Sequence, residues 1–406
     1  MHVLIADRID PLVASRLRDA GLTVSEAPTL SGASLSAALA DEKAAILIVR
    51  STKVGAEQLR MSPTLQLIIR AGAGVNTIDV EEAARRAIYV VNCPGMNAAA
   101  VAELAWGHII NIDRRIVEGV VALREGRWAK KALSAAQGLR GATLGLVGAG
   151  SIAREMISIA RGFGLSVLAY SPRLDEVRAR ALGVTRAPDL LSLAAGADIV
   201  SLHLPLNEES RGSFGERFFS AMRQGAIFIN TSRGELVDEA ALAAAVQGRG
   251  LRVGLDVFQG EPKGDGPWTQ PLAALPTFYG TPHIGASTAQ AQRAVAEEAC
   301  RLALVWAREG RAENCVNLRR ERGTVWCLMV RHRDEVGALA VILEMIREAG
   351  LNIQQMQNQI FAGEGAAACA RLDLIGCPSE TLLSTLSELS VVYGVELSAP
   401  QRVTKI

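Results

Sequence analysis

Aromatic residues are scarce in this chain of 406 residues, where Phe, Trp and Tyr together make up 4%. Its cores must therefore be built from aliphatic and small side chains. Nearly half of the residues are apolar, with Ala and Gly abundant, which suits helices packed closely on a parallel sheet. An excess of either charge is also missing. With 43 basic against 42 acidic residues the net charge is +1, so no broad field favours nucleic acid or an anionic membrane, and any anionic ligand must be held by local charges. The six cysteines, Cys93, Cys300, Cys315, Cys327, Cys369 and Cys377, include no CxxC pair and no metal spacing. They read as thiols in a reducing compartment, and no metal site is expected. No apolar run approaches the roughly 20 residues needed to span a bilayer. The amino terminus, MHVLIADRID, opens directly as strand and turn, so a cytoplasmic enzyme-like protein is expected.

What is present is organisation. The length exceeds one core and predicts two or three domains. Residues 1–96 alternate apolar runs (3–6, 45–49, 65–70, 89–92) with helical stretches (11–20, 35–40, 79–86), the βα alternation of a parallel sheet. A long helical pattern, NAAAVAELAWGHIINIDRRIVEGVVAL, covers 97–123 and contains His108, which reads as a packed histidine. The segment after it, REGRWAKKALSAAQGLRG, is basic and loop-like.

The stretch 144–173 reads as strand, tight turn, helix, strand. Its turn runs through Gly148, Ala149 and Gly150, and Ala153 holds the third small position. Such a turn gathers backbone N–H groups and the positive end of a helix at one point, a seat for a pyrophosphate. Further strands are predicted over 198–202, 226–230, 252–257 and 277–280, with helices over 187–195, 215–223 and 239–247, completing a doubly wound sheet. Ligands of such sheets lie at the carboxyl ends of the strands, which directs attention to His203, Arg233, Glu261 and His283. A helix over 285–307 opens on a Ser287-Thr288 capping signal. Beyond a polar stretch, strands over 324–331, 352–361, 366–374 and 391–398 and helices over 337–348 and 379–389, with a turn at 363–365, follow the βαββαβ order of a ferredoxin-like domain.

Hydride transfer from a carbon bearing a hydroxyl needs a group to take the hydroxyl proton and another to steady the developing carbonyl. A histidine near neutral pKa suits the first task and an arginine fork the second, while a carboxylate against the imidazole fixes its tautomer. His283, Arg233 and Glu261 follow three successive predicted strands, and together they make an accidental grouping improbable. In RAGAGVNTIDV the small residues let the backbone approach a ligand, so that the N–H groups of Gly74, Val75 and Asn76 are candidate carboxylate donors.

The segments GAGSIA, INTSRGELVD, LDVFQGEP and TPHIGASTAQAQ resemble the D-isomer-specific 2-hydroxyacid dehydrogenases over roughly residues 3–318. The resemblance implies an oxidoreductase using NAD, with NADP as the alternative. It implies that Arg233 orients substrate, His283 is the acid-base and Glu261 its partner, and that Asp256 lies near the nicotinamide carboxamide. Gly148, Gly150, Ser151, Ile152, Ser171, Arg173 and Thr231 are the other cofactor contacts it implies. At the end of the second strand of the fingerprint unit NAD-using members carry an acid. Ser171 stands there, Arg173 follows, and Asp175 is the nearby carboxylate left to replace it. Arg50 in IVRSTKV, Arg70 in IIRAGAGVN and Lys130 in GRWAKKAL stand where some members hold a substrate phosphate. Two guanidinium forks and an ammonium would compensate such a dianion. A phosphorylated 2-hydroxy acid is thus the expected substrate. A glyoxylate or hydroxypyruvate reductase with a sensor domain and a non-catalytic nucleotide-sensing co-regulator are the alternatives.

The segment VRHRDEVGALAVILEMIREAGLNIQQMQ resembles the ACT family of amino-acid sensors. The resemblance implies effector contacts at His332, Asp334 and Asn352, with L-serine as the effector of similar proteins, although Asp334 stands where an asparagine is familiar. It also implies pairing of copies into a homodimer or homotetramer. The expected architecture is α/β, with two doubly wound Rossmann-like domains and a ferredoxin-like one. Residues 1–96 and 285–318 form a substrate-binding domain, 97–284 a nucleotide-binding domain and 319–406 an ACT-like regulatory domain. Neither nucleic acid nor membrane is an expected partner.

Overall fold

The structure is a computed structural model that describes residues 1–262, 264–275, 277–319, 324–363 and 367–402. The chain separates into two compact units, Met1–Asn317 and Leu318–Ile406.

The first unit holds two parallel sheets. One is built from β1 (His2–Ile5), β2 (Thr23–Glu26), β3 (Ile46–Val49), β4 (Leu67–Arg70) and β5 (Tyr89–Asn92), in the order β2-β1-β3-β4-β5. Strand β3, ILIV, is buried at all four positions, as expected where helices cover both faces of a parallel sheet. Its side chains alternate between two cores. Ile46 and Ile48 face Val13, Leu17 and Leu302, whereas Leu47 and Val49 face Leu35, Leu39 and Leu59. The helix Ala289–Glu309 therefore returns the end of this unit to the first sheet, and the Asn317 side chain fastens it by bonding Val90 N–H and the Ile88 carbonyl. Strand β2, TVSE, lies on an edge and carries one apolar residue, too little for a periodic signal.

The second sheet has seven parallel strands: β6 (Thr143–Val147), β7 (Ser166–Tyr170), β8 (Thr185–Arg186), β9 (Ile199–Leu202), β10 (Ile227–Asn230), β11 (Arg252–Leu255) and β12 (Phe278–Gly280). Their order is β12-β11-β10-β9-β6-β7-β8. The chain leaves β6 toward β7 and β8, then crosses back to β9 on the other side. This reversal opens a crevice at the carboxyl ends of β6 and β9. Four of the few aromatic residues, Phe214, Phe218, Phe219 and Phe228, pack edge to face in this sheet's core. Burying each contributes about 1.5–3 kcal/mol.

The helix expected over 97–123 is two helices, Ala98–Arg114 and Ile116–Arg124, parted at Arg115, whose φ is 52°. No Gly or Pro marks the break. Side chains hold it: Asn111 accepts from Val117 N–H, while Arg115 bonds Glu118 and the Ala132 carbonyl. The basic segment after it, read as a loop, contains the short helix Lys130–Leu133.

In the second unit β13 (Thr324–Arg333), β14 (Asn352–Ile360), β15 (Ala367–Ile375) and β16 (Val392–Leu397) form an antiparallel sheet in the order β14-β15-β13-β16, with β17 (Gln401–Arg402) also pairing with β13. The helices Ala338–Glu348 and Glu380–Glu388 contribute Ile342, Ile346, Leu382 and Leu386 to its core. Of the turn expected at 363–365, residues 364 and 365 lie outside the described residues. Among the described residues no helix is long and apolar enough to cross a membrane.

Candidate active site

The glycine turn after β6 has the geometry its sequence implies. Gly148 has φ 111°, and a Cβ there would lie 2.4 Å from the His203 carbonyl oxygen, so any side chain would collide with the backbone after β9. Gly150 opens the helix Ser151–Phe163, and the space where its Cβ would stand is clear. The first N–H groups of that helix have no partner within it, which leaves the donors at Ser151 and Ile152 for an anion. Ala153 is buried where the helix meets the sheet. A cleft of about 1050 Å³ runs from this turn past Tyr170, Ser171, Arg173 and His203.

Ser171 and Arg173 both line the cleft, and Asp175 does not. Its carboxylate caps the helix Glu176–Leu182 by accepting from Arg178 N–H at 2.7 Å. The carboxylate that was left to face the cofactor is thus engaged as a helix cap.

The second group of residues lies beyond this cleft lining, at the ends of β10 and β11 and in the loop after β12. Arg233 follows β10 in a locked turn. Asn230 donates to the Arg233 carbonyl at 2.9 Å, Ser232 Oγ donates to the Leu202 carbonyl at 2.6 Å, and Gly234 permits contact with the Phe258 backbone. Glu261 accepts from Phe258 N–H at 2.9 Å and meets His283 Nδ1 at 2.6 Å. The Nδ1 nitrogen therefore carries the proton, and Nε2 is the ring atom left to exchange one. The Glu261 hydrogen bond, against opposing burial, raises the pKa of His283. Burial pushes the Glu261 carboxyl up, but bonds from His283 and Phe258 N–H prevail and hold it below its ordinary value.

Three arginines converge where the two sheets of this unit approach each other. Arg70 ends β4 and folds over Gly72, where a Cβ would stand 1.6 Å from its Nη1. Arg233 reaches Gly74, with 2.4 Å from a Cβ there to its Nη2 and 3.1 Å to Asn76 Oδ1. Burial, followed by the charges of Arg233 and Arg50, lowers the Arg70 pKa to about 10. Burial also lowers that of Arg233. The buried atoms Arg70 Nε and Thr231 Oγ1 have no hydrogen-bond partner. Cations crowded together beside unpaired donors make an anion cradle. Thr231 Oγ1, the glycine turn and the open helix end fit a nicotinamide dinucleotide along the carboxyl ends of β6, β9 and β10. Asp7, which the sequence reading missed, sets the Arg50 loop: its Oδ2 accepts from the N–H groups of Arg50, Ser51 and Thr52 at 2.6, 3.0 and 2.9 Å.

Several expected contacts are placed elsewhere. Lys130 is exposed on its short helix, whose Leu133 packs near Gly119, while the charges that act on Arg70 include those of Arg233, Arg50 and Asp7. The Asp256 carboxylate is buried and accepts from Thr281 Oγ1 and from the N–H groups of Ile284 and Gly285 at 2.6, 2.8 and 2.8 Å. It therefore holds the His283 loop in place. In the second unit His332 is 1% exposed, with Nδ1 on the Arg333 carbonyl at 2.7 Å and Nε2 3.1 Å from Asn358 Oδ1. Strand alternation puts it on the helix-facing side with Leu328 and Val330, so it is a core residue and not an effector contact. Asn352 and Asp334 are exposed. Asn352 pairs with Ile375 at one end of β15, while His332 pairs with Ala368 at the other, so within one chain Asn352 and Asp334 do not meet.

Comparison with known proteins adds four findings. Residues 106–285 match the family model described as D-isomer specific 2-hydroxyacid dehydrogenase, NAD binding domain. The hydroxypyruvate reductase of Thermotoga maritima is 42% identical over 255 residues, which is 62% of this chain and 81% of that one. The D-3-phosphoglycerate dehydrogenase of Methanocaldococcus jannaschii is 37% identical over 275 residues, 67% of this chain but only 52% of that relative's length. Among solved structures, a protein from Thermus thermophilus superposes with a TM-score of 0.69 at 34% identity, covering 78% of this chain and all of that one.

Proposed function

The chain belongs to the D-isomer specific 2-hydroxyacid dehydrogenases, and from that membership we propose that it interconverts D-3-phosphoglycerate and 3-phosphohydroxypyruvate, the first step of L-serine biosynthesis. The observation that carries the substrate choice is the gathering of cations about the turn after β4, where Arg70 folds over Gly72, Arg233 reaches Gly74 and the charge of Arg50 also acts on Arg70. A 2-hydroxy acid needs one arginine for its carboxylate. Two further guanidinium groups, with a buried Nε lacking a partner, call for a second anion, and a phosphate dianion meets two forks well.

The bound nicotinamide supplies the hydride acceptor for C2. His283 takes the C2 hydroxyl proton on Nε2, and Glu261 stabilises the imidazolium that results. Arg233 orients the carboxylate and donates to the C2 oxygen as it becomes a carbonyl, while the backbone of Gly74, Val75 and Asn76 adds N–H donors. Arg50 and Arg70 hold the phosphate. Ser171 and Arg173 leave the adenosine ribose without a repelling carboxylate, so NADP is accepted beside NAD. Ile116, Val117, Val120 and Val121 leave an apolar strip of helix exposed, which suits a homodimer. In the carboxyl-terminal unit an amino-acid effector such as L-serine would bind between copies.

A second reading, reduction of hydroxypyruvate or glyoxylate, is favoured by the 42% identity to a hydroxypyruvate reductase. One assay separates the two. A panel of 2-hydroxy and 2-oxo acids, with and without phosphate and with NAD(H) or NADP(H), is expected to give the highest kcat/KM on the phosphorylated pair. Arg70→Ala should then lower that value about 100-fold, or some 2.7 kcal/mol, while sparing unphosphorylated acids. Preference for hydroxypyruvate, barely altered in Arg70→Ala, would establish the second reading.

A further inference from the structure

The helix Ala98–Arg114 presses the His108 side chain into the second sheet. His108 is buried against β11, where a Cβ on Gly254 would come within 2.9 Å of the His108 Cβ. The imidazole Nε2 stands 3.1 Å from Thr281 Oγ1, and that oxygen stands 2.6 Å from Asp256 Oδ1. These two contacts fix the protons. An ionised carboxylate only accepts, so the one hydroxyl hydrogen of Thr281 goes to Asp256, and the Thr281 oxygen accepts from the ring. His108 is therefore the Nε2–H tautomer. Burial lowers its proton affinity against the pull of Asp256, which favours the neutral ring.

The other bonds that Asp256 accepts go to the loop that carries His283. Its Oδ1 accepts from Ile284 N–H and its Oδ2 from Gly285 N–H, both at 2.8 Å, and its backbone carbonyl accepts from His283 N–H at 2.8 Å. Gly285 has no side chain because a Cβ would lie 2.9 Å from Asp256 Oδ2. The loop needs such support, since His283 has φ 53°, a left-handed conformation that costs a residue with a Cβ about 1–2 kcal/mol.

We infer that His108 and Thr281 are positioning residues for the acid-base histidine. The chain from His108 through Thr281 to Asp256 holds residues 283–285 in the turn that sets His283 Nδ1 against Glu261 and leaves Nε2 for substrate. This rests on the reading of His283 as the acid-base group. It also ties the catalytic loop to the helix that follows the Pro94-Gly95 break between the two sheets.

Thr281→Val keeps the shape of the side chain and removes both hydrogen bonds, whereas Thr281→Ser keeps them. The charged groups facing His283 are Glu261 and Asp256, from the β11 end and its loop, and Arg233 from the loop after β10. In the oxidation direction Thr281→Val is expected to lower kcat about tenfold or more, with KM for the cofactor within about twofold. The ionisation in its kcat/KM profile should move down toward the ordinary histidine value as the Glu261 contact loosens. Thr281→Ser should restore both. His108→Leu should act in the same direction and serves as the second variant if Thr281→Val does not fold. Wild-type kcat and ionisation in a folded Thr281→Val or His108→Leu protein, or a fall in Tm alone, overturns the inference. His283→Asn, assayed alongside, separates the two claims. Activity surviving there removes the acid-base reading itself. Activity lost there, with an unchanged Thr281→Val profile, removes only the positioning role.

Discussion

His283 and Glu261 make the pH dependence of this protein a statement about two atoms 2.6 Å apart. The contact raises the pKa of His283, and the sign follows from the proton's role. With His283 as the proposed acid-base group, oxidation needs the neutral imidazole, so its kcat/KM should climb as pH rises through that pKa, while reduction, which needs the imidazolium, should decline over the same range. Glu261→Gln keeps a hydrogen-bond acceptor but removes the charge, and should shift both limbs to lower pH and cut kcat about 10- to 100-fold. Initial rates in both directions across the neutral range test this, and limbs that stay in place would exclude Glu261 as the partner that sets the ionisation. At this scale the sequence was most informative where a residue ends a strand. Arg233, Glu261 and His283 could be singled out because carboxyl ends of parallel strands are where ligands bind, and Arg70 through the resemblance of its segment to a known family. Asp7, His108 and Thr281 could not, because their roles depend on partners 43, 173 and 25 positions away, which no local pattern reveals. His332 is the opposite case: resemblance suggested an effector contact, and strand alternation had already turned the side chain into the core.

Elements were legible in proportion to how fully they are buried. The strand ILIV and the fingerprint helix announce themselves by pattern, while TVSE on the sheet edge does not, and the break at Arg115 is made by side chains of Asn111 and Glu118 without any breaker residue. The short helix Val80–Arg85 shows how charge stabilises an element of little apolar content. Asp79 caps it by accepting from Glu82 N–H, and Glu82 then gathers Arg60, Arg85 and Arg86 at 3.4, 2.9 and 2.8 Å. Bonds from Arg86 and then Arg85 lower the Glu82 pKa to about 2. A depressed carboxyl pKa contributes stability that is complete above the unfolded value of about 4.5 and is lost as pH falls toward 2. Glu82→Gln should therefore lower Tm by a few degrees at neutral pH, with the difference from wild type shrinking steadily below the unfolded value. A difference in Tm that does not change with pH would mean that packing, and not the ion-pair cluster, holds this helix.

Across the whole molecule, the proposed effector site can exist only if copies associate. Asn352 and the level of His332 are seven residues apart along β15, from Ile375 to Ala368, about 23 Å at 3.3 Å per residue, and Asp334 lies two residues beyond. No amino acid spans that distance. A site using both residues must take Asp334 from one copy and Asn352 from another, as a two-fold axis would arrange. This geometry has a consequence that a site within one chain would not share. Asp334→Ala and Asn352→Ala should each abolish L-serine binding, since every site in either variant lacks one partner. In an oligomer mixed from the two variants, each pair of unlike chains carries one doubly defective site and one site with both native residues. Equilibrium dialysis with labelled L-serine should therefore show up to one restored site per mixed pair. Binding that survives either single substitution, or mixing that restores nothing, argues against a shared Asp334–Asn352 site. No binding to the intact wild-type oligomer at millimolar L-serine removes serine from the account, and the same pair of variants then tests any other amino acid by the same complementation.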